Sequence, residues 1–139
     1  MTEGNGEGQS NREVLVVEDD PEINELVGAY VQIAGFRYHA ALNGAEALER
    51  VRHCRPSLIV LDLMLPDLSG WEICRRVKNT SKTHDVPVII LSALDNEASR
   101  RQGISCGVSD YLTKPFDPDQ LLRALTEHAN GGVTEKSVG

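Results

Sequence analysis

Glu18, Asp19 and Asp20 follow directly on the apolar run Val14-Leu15-Val16-Val17. Three adjacent carboxylates repel one another, and packing gives no reason to cluster them. A cationic partner is therefore expected nearby. Other chemically capable residues close other apolar runs: Asp62 follows Leu58–Leu61, Ser92 follows Val86–Leu91, and Lys114 follows Asp110–Thr113. If these runs are neighbouring parallel strands, their C-terminal ends share one edge, where open α/β sheets bind ligands. Glu18, Asp19, Asp62, Ser92 and Lys114 then converge in one cleft. A hard divalent cation relieves the carboxylate repulsion, and Mg²⁺ favours a few carboxylates, a carbonyl and waters. Metal and Lys114 would supply positive charge to an anionic substrate, and Ser92 a hydrogen bond. A carboxylate held there can act as a nucleophile and form an aspartyl-phosphate.

The elements that must position these groups are legible as five strand–helix units. The β-branched run of residues 14–17 suits a strand buried on both faces. Ile23, Leu26, Val27, Tyr30, Val31 and Ala34 recur at helical spacing over residues 21–34. Asp20 suits the cap of that helix, Pro21 its first position and Gly35 its end. Residues 36–41 form a second strand. Asn43 with Glu46 reads as a capping box opening a helix to about Cys54. Residues 58–61 form the third and most apolar strand. Ser69 with Glu72 reads as a second capping box, opening a helix to about Asn79. Residues 86–91 form a fourth strand, with Pro87 near its start, where a missing donor is tolerated. Residues 95–106 form a helix with a thin apolar stripe and Gly103 inside it. Residues 110–113 form the fifth strand, and Asp117-Pro118-Asp119-Gln120 opens the last helix. Such alternation implies an α/β fold, a five-stranded parallel sheet with helices on both faces and right-handed crossovers. The expected organisation is a flexible extension over 1–11, one domain over 12–130 and a flexible tail over 131–139.

Composition narrows the function classes. The chain has 139 residues, 40% hydrophobic, which is enough for one independent core. Acids outnumber bases 21 to 14, for a net charge of −7, against the basic stripe of a nucleic-acid surface. No apolar run is long enough for a membrane span, and residues 1–10 lack a signal-peptide core, so a cytosolic (cytoplasmic) location is expected. Cys54, Cys74 and Cys106 show no paired spacing and read as free thiols. His39, His53, His84 and His128 show no zinc-ligand spacing.

The acid cluster after the first strand, Asp62-Leu63-Met64-Leu65-Pro66-Asp67-Leu68-Ser69-Gly70, Ser92-Ala93 and Tyr111-Leu112-Thr113-Lys114-Pro115-Phe116 together resemble the receiver domains of bacterial two-component response regulators. The resemblance covers roughly residues 12–130, in the family's order and spacing. It implies a doubly wound, flavodoxin-like sheet of order 2-1-3-4-5. It implies Asp62 as the phospho-acceptor and Asp19 as a direct metal ligand. Glu18 would reach the metal through water, and Asp62 and the Met64 backbone carbonyl would complete the site. Lys114 would contact the phosphoryl group, the Lys114–Pro115 peptide bond would be cis, and Ser92 and Tyr111 would form the switch pair. The implied cofactor is Mg²⁺, with Mn²⁺ as a substitute. The implied donor is a sensor histidine kinase or phosphotransfer protein. The implied output is a two-state surface on the fourth helix, fifth strand and fifth helix, acting on an effector that the sequence does not identify. Arg100 and Asp110 resemble charged residues of a family dimer face, while Gln120 departs from it, where an acid is usual. Such a domain catalyses only its own phosphorylation and slow dephosphorylation.

Competing readings are weaker. An aspartate-nucleophile phosphatase wants an acid two residues after the nucleophile, where this chain has Met64. A mononucleotide-binding module needs a phosphate-cradling loop after the first strand, where this chain has acids. A degenerate, non-phosphorylated scaffold would have lost Asp19, Asp62 or Lys114, and all three are present. Asp20 is better explained as a helix cap than as a metal ligand, Tyr111 could be plain core, and Trp71 reads as half-exposed packing. Met64 and Leu94, two residues after Asp62 and Ser92, are apolar where they would flank a hydrolytic water, so a long-lived aspartyl-phosphate is expected. No output domain is visible after the last helix, which fits both a stand-alone receiver and a fragment of a longer regulator.

Overall fold

The computed structural model describes residues 12–129; the extension and tail expected at 1–11 and 131–139 lie outside them. Five strands and five helices alternate: β1 (Glu13–Val17), α1 (Pro21–Ile33), β2 (Arg37–Ala41), α2 (Gly44–His53), β3 (Leu58–Leu61), α3 (Gly70–Lys78), β4 (Val88–Ser92), α4 (Glu97–Cys106), β5 (Asp110–Thr113) and α5 (Pro118–Ala129). All strand pairs are parallel, in the order β2-β1-β3-β4-β5. This is the expected doubly wound sheet.

Alternation along β1 sends its side chains to two separate cores. Val14 and Val16 join Val27 and Val31 of α1 and Leu121 and Leu125 of α5 on one face. Leu15 and Val17 join Ala47 and Val51 of α2 and Ile73 and Val77 of α3 on the other. Both cores are buried and apolar, so the sheet is packed from both sides.

The helix starts follow their caps. Asp20 accepts the Glu22 N–H at 3.0 Å with Pro21 in the first turn, and Gly35, at φ 96°, lies beyond the end of α1. Asp20 is thus occupied as a cap, as expected. Asn43 accepts the Glu46 N–H at 2.8 Å, but Glu46 returns to the N–H of Leu42, one residue before the cap. The second capping box does not close. Ser69 accepts from Trp71 at 3.0 Å, while Glu72 turns along the helix to Arg75 and to Arg76 at 2.9 Å. Two guanidiniums outcompete one backbone N–H for that carboxylate. Strand β4 starts at Val88, after Pro87 rather than before it, and α4 starts at Glu97 with Asn96 as its cap, because Asn96 accepts from Ser99 at 2.8 Å.

Candidate functional site

The predicted acids, Ser92 and Lys114 lie at or just beyond the C-terminal ends of strands, whereas Tyr111 lies near the start of β5. Glu18 and Asp19 follow β1, Asp62 follows β3, Ser92 ends β4, and Lys114 follows β5. The ladder extends past the strands themselves. Asp62 N–H donates to Val17 at 2.9 Å, Glu18 N–H to Ala41 at 3.1 Å, and Lys114 N–H to the Ser92 carbonyl at 2.8 Å. Glu18, Asp62 and Lys114 are thus each tied to the neighbouring strand by one backbone N–H, while among the described residues Asp19 has no such bond to the ladder.

Behind Asp62 the loop returns sharply. Gly70 donates to the Leu63 carbonyl at 2.9 Å, and a Cβ at Gly70 would lie 2.5 Å from the Asp62 carbonyl oxygen. Only glycine allows that approach. A residue that the sequence reading left without a role, Asp67, locks the same loop to the next helix. Its carboxylate accepts the N–H groups of Gly44 at 2.7 Å and Ala45 at 2.9 Å, at the start of α2, and of Leu68 at 2.9 Å. These bonds, led by that from Gly44, hold its carboxyl below the ordinary aspartate range. Asp67 lies 23 residues from Gly44; that separation is why local sequence patterns did not reveal it.

Glu18, Asp19 and Asp62 offer carboxylate oxygens that all lie within 4.8 Å of one another. Glu18 and Asp62 are buried and Asp19 is exposed. The Lys114 ammonium bridges the two buried acids, 2.5 Å from Glu18 Oε1 and 3.0 Å from Asp62 Oδ2. Glu18 Oε2 accepts the Asp20 N–H at 3.0 Å, and Asp62 Oδ1 the Met64 N–H at 3.2 Å. Burial pushes the Glu18 carboxyl above its usual range; the Lys114 hydrogen bond and the Asp20 N–H pull it back only in part. Lys114 is pulled down by burial, yet its hydrogen bonds to Glu18 and Asp62 outweigh this and hold the ammonium above its usual range. Both partners shift upward: the lysine gains two carboxylates, while burial outweighs the one cation that Glu18 shares with Asp62.

Three carboxylates against one ammonium leave the cluster with excess negative charge. Hard oxygen donors, two of them buried, fit a divalent cation of the Mg²⁺ type. Ser92 is fully buried, and its hydroxyl accepts the Leu94 N–H at 3.1 Å. Tyr111 sits apart from the acids. Its hydroxyl donates to the Leu94 carbonyl at 2.7 Å and lies 2.6 Å from Ser99 Oγ, while the Arg100 guanidinium stacks 4.8 Å above its ring. Arg100 also reaches Asp95 at 2.9 Å and Thr113 at 3.0 Å. The Met64 and Leu94 side chains are exposed. The Lys114–Pro115 peptide is cis, as the resemblance implied.

Fold and site together define a receiver domain, and comparison with known proteins places the chain in that family. The family model for the response regulator receiver domain matches residues 14–126, so the chain belongs to the receiver domains of two-component response regulators. It is 38% identical over 109 residues to the DNA-binding dual master transcriptional regulator RpaA of Synechocystis sp., covering 78% of this chain and 45% of that protein. It is 36% identical over 128 residues to the phosphate regulon transcriptional regulatory protein PhoB of Pseudomonas aeruginosa, covering 90% of this chain and 56% of that one. The receiver domain of the Francisella response regulator 1452 superposes with a TM-score of 0.80 at 33% identity, covering 88% of this chain and 99% of the other. The chain spans about half the length of the curated relatives it matches. Among the described residues, no helix is long and apolar enough to cross a membrane.

Proposed function

We propose that this receiver is a phosphorylation switch in which Asp62 accepts a phosphoryl group from a phosphohistidine on a partner kinase or phosphotransfer protein. The observation that carries the reading is the buried Asp62 carboxylate, hydrogen-bonded to Lys114 and grouped with Glu18 and Asp19. A carboxylate oxygen of Asp62 attacks phosphorus in line. The new P–O bond forms as the P–N bond breaks, and the histidine nitrogen keeps the electron pair. Lys114, already within reach of Asp62, stabilises charge on the transferring oxygens. Ser92 donates to the same group once its hydroxyl turns from Leu94. Asp19 and Asp62, Glu18 through water, and the Met64 carbonyl would hold Mg²⁺, which supplies further charge neutralisation.

Movement of Ser92 and Tyr111 then biases the surface of α4, β5 and α5. That surface is the output face and, in a phosphorylation-dependent homodimer, the pairing face. Arg100 stands on it, tied to Asp95, and Asp110 lies 3.4 Å from His128. Residues 12–130 act as the receiver. By analogy with the named relatives, the pathway it serves ends in gene regulation.

Incubation with acetyl phosphate and Mg²⁺ tests the chemistry. Intact-mass analysis should show one added phosphoryl group, lost in Asp62→Asn and after Mg²⁺ chelation. Labelling of Asp62→Asn at the wild-type rate would overturn the assignment. Sedimentation with and without beryllofluoride tests the dimer; an unchanged monomer would rule it out.

A further inference from the structure

The turn that carries Glu18 and Asp19 lies beyond the end of β1, so the ladder alone does not fix it. Asn24, in α1 and 1% exposed, reaches back to hold it. Its side-chain nitrogen lies 3.0 Å from the Glu18 carbonyl, 3.2 Å from that of Val16 and 3.2 Å from that of Ala41. An amide has two N–H donors, so one is shared among these three acceptors. The acceptors are the end of β1, the first acid and the end of β2. Asn24 thus pins the acid-bearing turn to two strands at once.

The amide is itself oriented. The Tyr38 hydroxyl, from β2, donates to Asn24 Oδ1 and lies 3.1 Å from the Asn24 carbonyl. The Tyr38 ring crosses α1 at Gly28, where any Cβ would overlap it. Gly28 gives the ring its passage, Tyr38 sets the amide, and Asn24 sets the backbone of Glu18.

We propose that Asn24 and Tyr38 are positioning residues for the metal side of the pocket, fixing Glu18 and Asp19 at the spacing a divalent cation needs. This rests on the Mg²⁺ reading above. Neither residue touches the cation or the phosphoryl group. They act through the turn, as outer-sphere partners do when they orient metal ligands. A merely structural cross-link would show itself in stability alone.

Calorimetric titration of Mg²⁺ into the full chain decides between the two. Loss of an outer-sphere partner commonly weakens metal affinity about 10–100-fold, and Asn24→Ala should fall in that range. Tyr38→Phe keeps the ring, removes only the hydroxyl, and should weaken Mg²⁺ about threefold or more, below that range because Asn24 is retained. The half-saturating Mg²⁺ for acetyl phosphate labelling should rise by the same factors, with the rate at saturating Mg²⁺ retained, since Asp62 and Lys114 are untouched. Should Asn24→Ala fail to fold, Tyr38→Phe carries the test. Unchanged Mg²⁺ affinity in Tyr38→Phe would overturn the inference, whatever happens to its melting temperature. Wild-type protein that binds no Mg²⁺ overturns both readings. Wild-type protein that binds Mg²⁺ but takes no label overturns phosphoryl transfer alone, and the affinities still decide the positioning role.

Discussion

Replacing Lys114 by methionine removes the ammonium between two buried carboxylates and leaves them facing each other. Taking one partner from a buried ion pair typically destabilises by about 3–5 kcal/mol. Here the Lys114 side chain is 19% exposed and Asp19 opens the site to water, so the low end applies. About 3 kcal/mol is therefore expected in metal-free buffer at pH 7. In a domain of about 120 residues each kcal/mol moves Tm by roughly 3–6 °C, giving a fall of about 9–18 °C. The sign of the pH dependence is fixed. Without the ammonium, Glu18, already raised by burial, binds its proton more readily folded than unfolded, so stability recovers as pH falls. Glu18, already raised above 4.5 in the wild type, should take up the first proton. The gap between variant and wild type should therefore narrow from pH 7 to pH 5, and added Mg²⁺ should narrow it at pH 7. In the wild type, the lysine's contribution is intact below pH 10.5 and is lost as pH rises through its raised folded-state value. Urea and thermal unfolding followed by circular dichroism measure all of this. A variant that melts with the wild type at pH 7, or whose deficit is equal at pH 5 and 7, would refute the reasoning.

Other expectations follow from the same geometry. Met64 and Leu94 are exposed and apolar, so neither orients an attacking water; Met64→Asn with Leu94→Glu should leave the fold intact and speed aspartyl-phosphate decay roughly tenfold or more, read as loss of label over time. Unchanged decay would show that these side chains do not control the water. Asp67→Ala should destabilise at neutral pH by freeing the start of α2, and its melting curve should converge on the wild type as pH falls below 3.8, where the wild-type carboxylate, held below that value, becomes protonated. Cys74 is buried and its thiol is pushed up to about 11, first by burial and then by nearby Cys106; it should resist iodoacetamide at pH 7.5 in the folded chain while Cys106 reacts faster. Equal rates would place Cys74 in a more open setting than its burial indicates.

The strands and the acids were legible because their signals are local. Val14–Val17 and Leu58–Leu61 are continuous apolar runs, and the charged residue after each one marks the sheet edge. Asp20, Asn43 and Asp117 cap as their types suggest, since a cap needs only the next two or three N–H groups. Illegible features depend on what the sheet brings together. Asn24 looks like an ordinary polar helix residue until β1 and β2 present three carbonyls to it. Asp67 looks like a turn residue until α2 arrives with unpaired N–H groups. Glu72 fits a capping box by spacing, yet two arginines on its own helix face claim it. In each case the competing partner is set by tertiary structure or by a helix face.

The main chain of Leu94 has a divided allegiance. Its N–H donates to the buried serine of the pocket, and its carbonyl accepts from the tyrosine of β5. The hydrogen-bonded link from the buried serine to the tyrosine is therefore one residue long and is written in main-chain atoms. A lever made of backbone does not depend on which side chain it carries. Under the proposed switch, position 94 would serve two masters: its main chain would carry the state of Ser92 to Tyr111, while its side chain would set how long that state lasts.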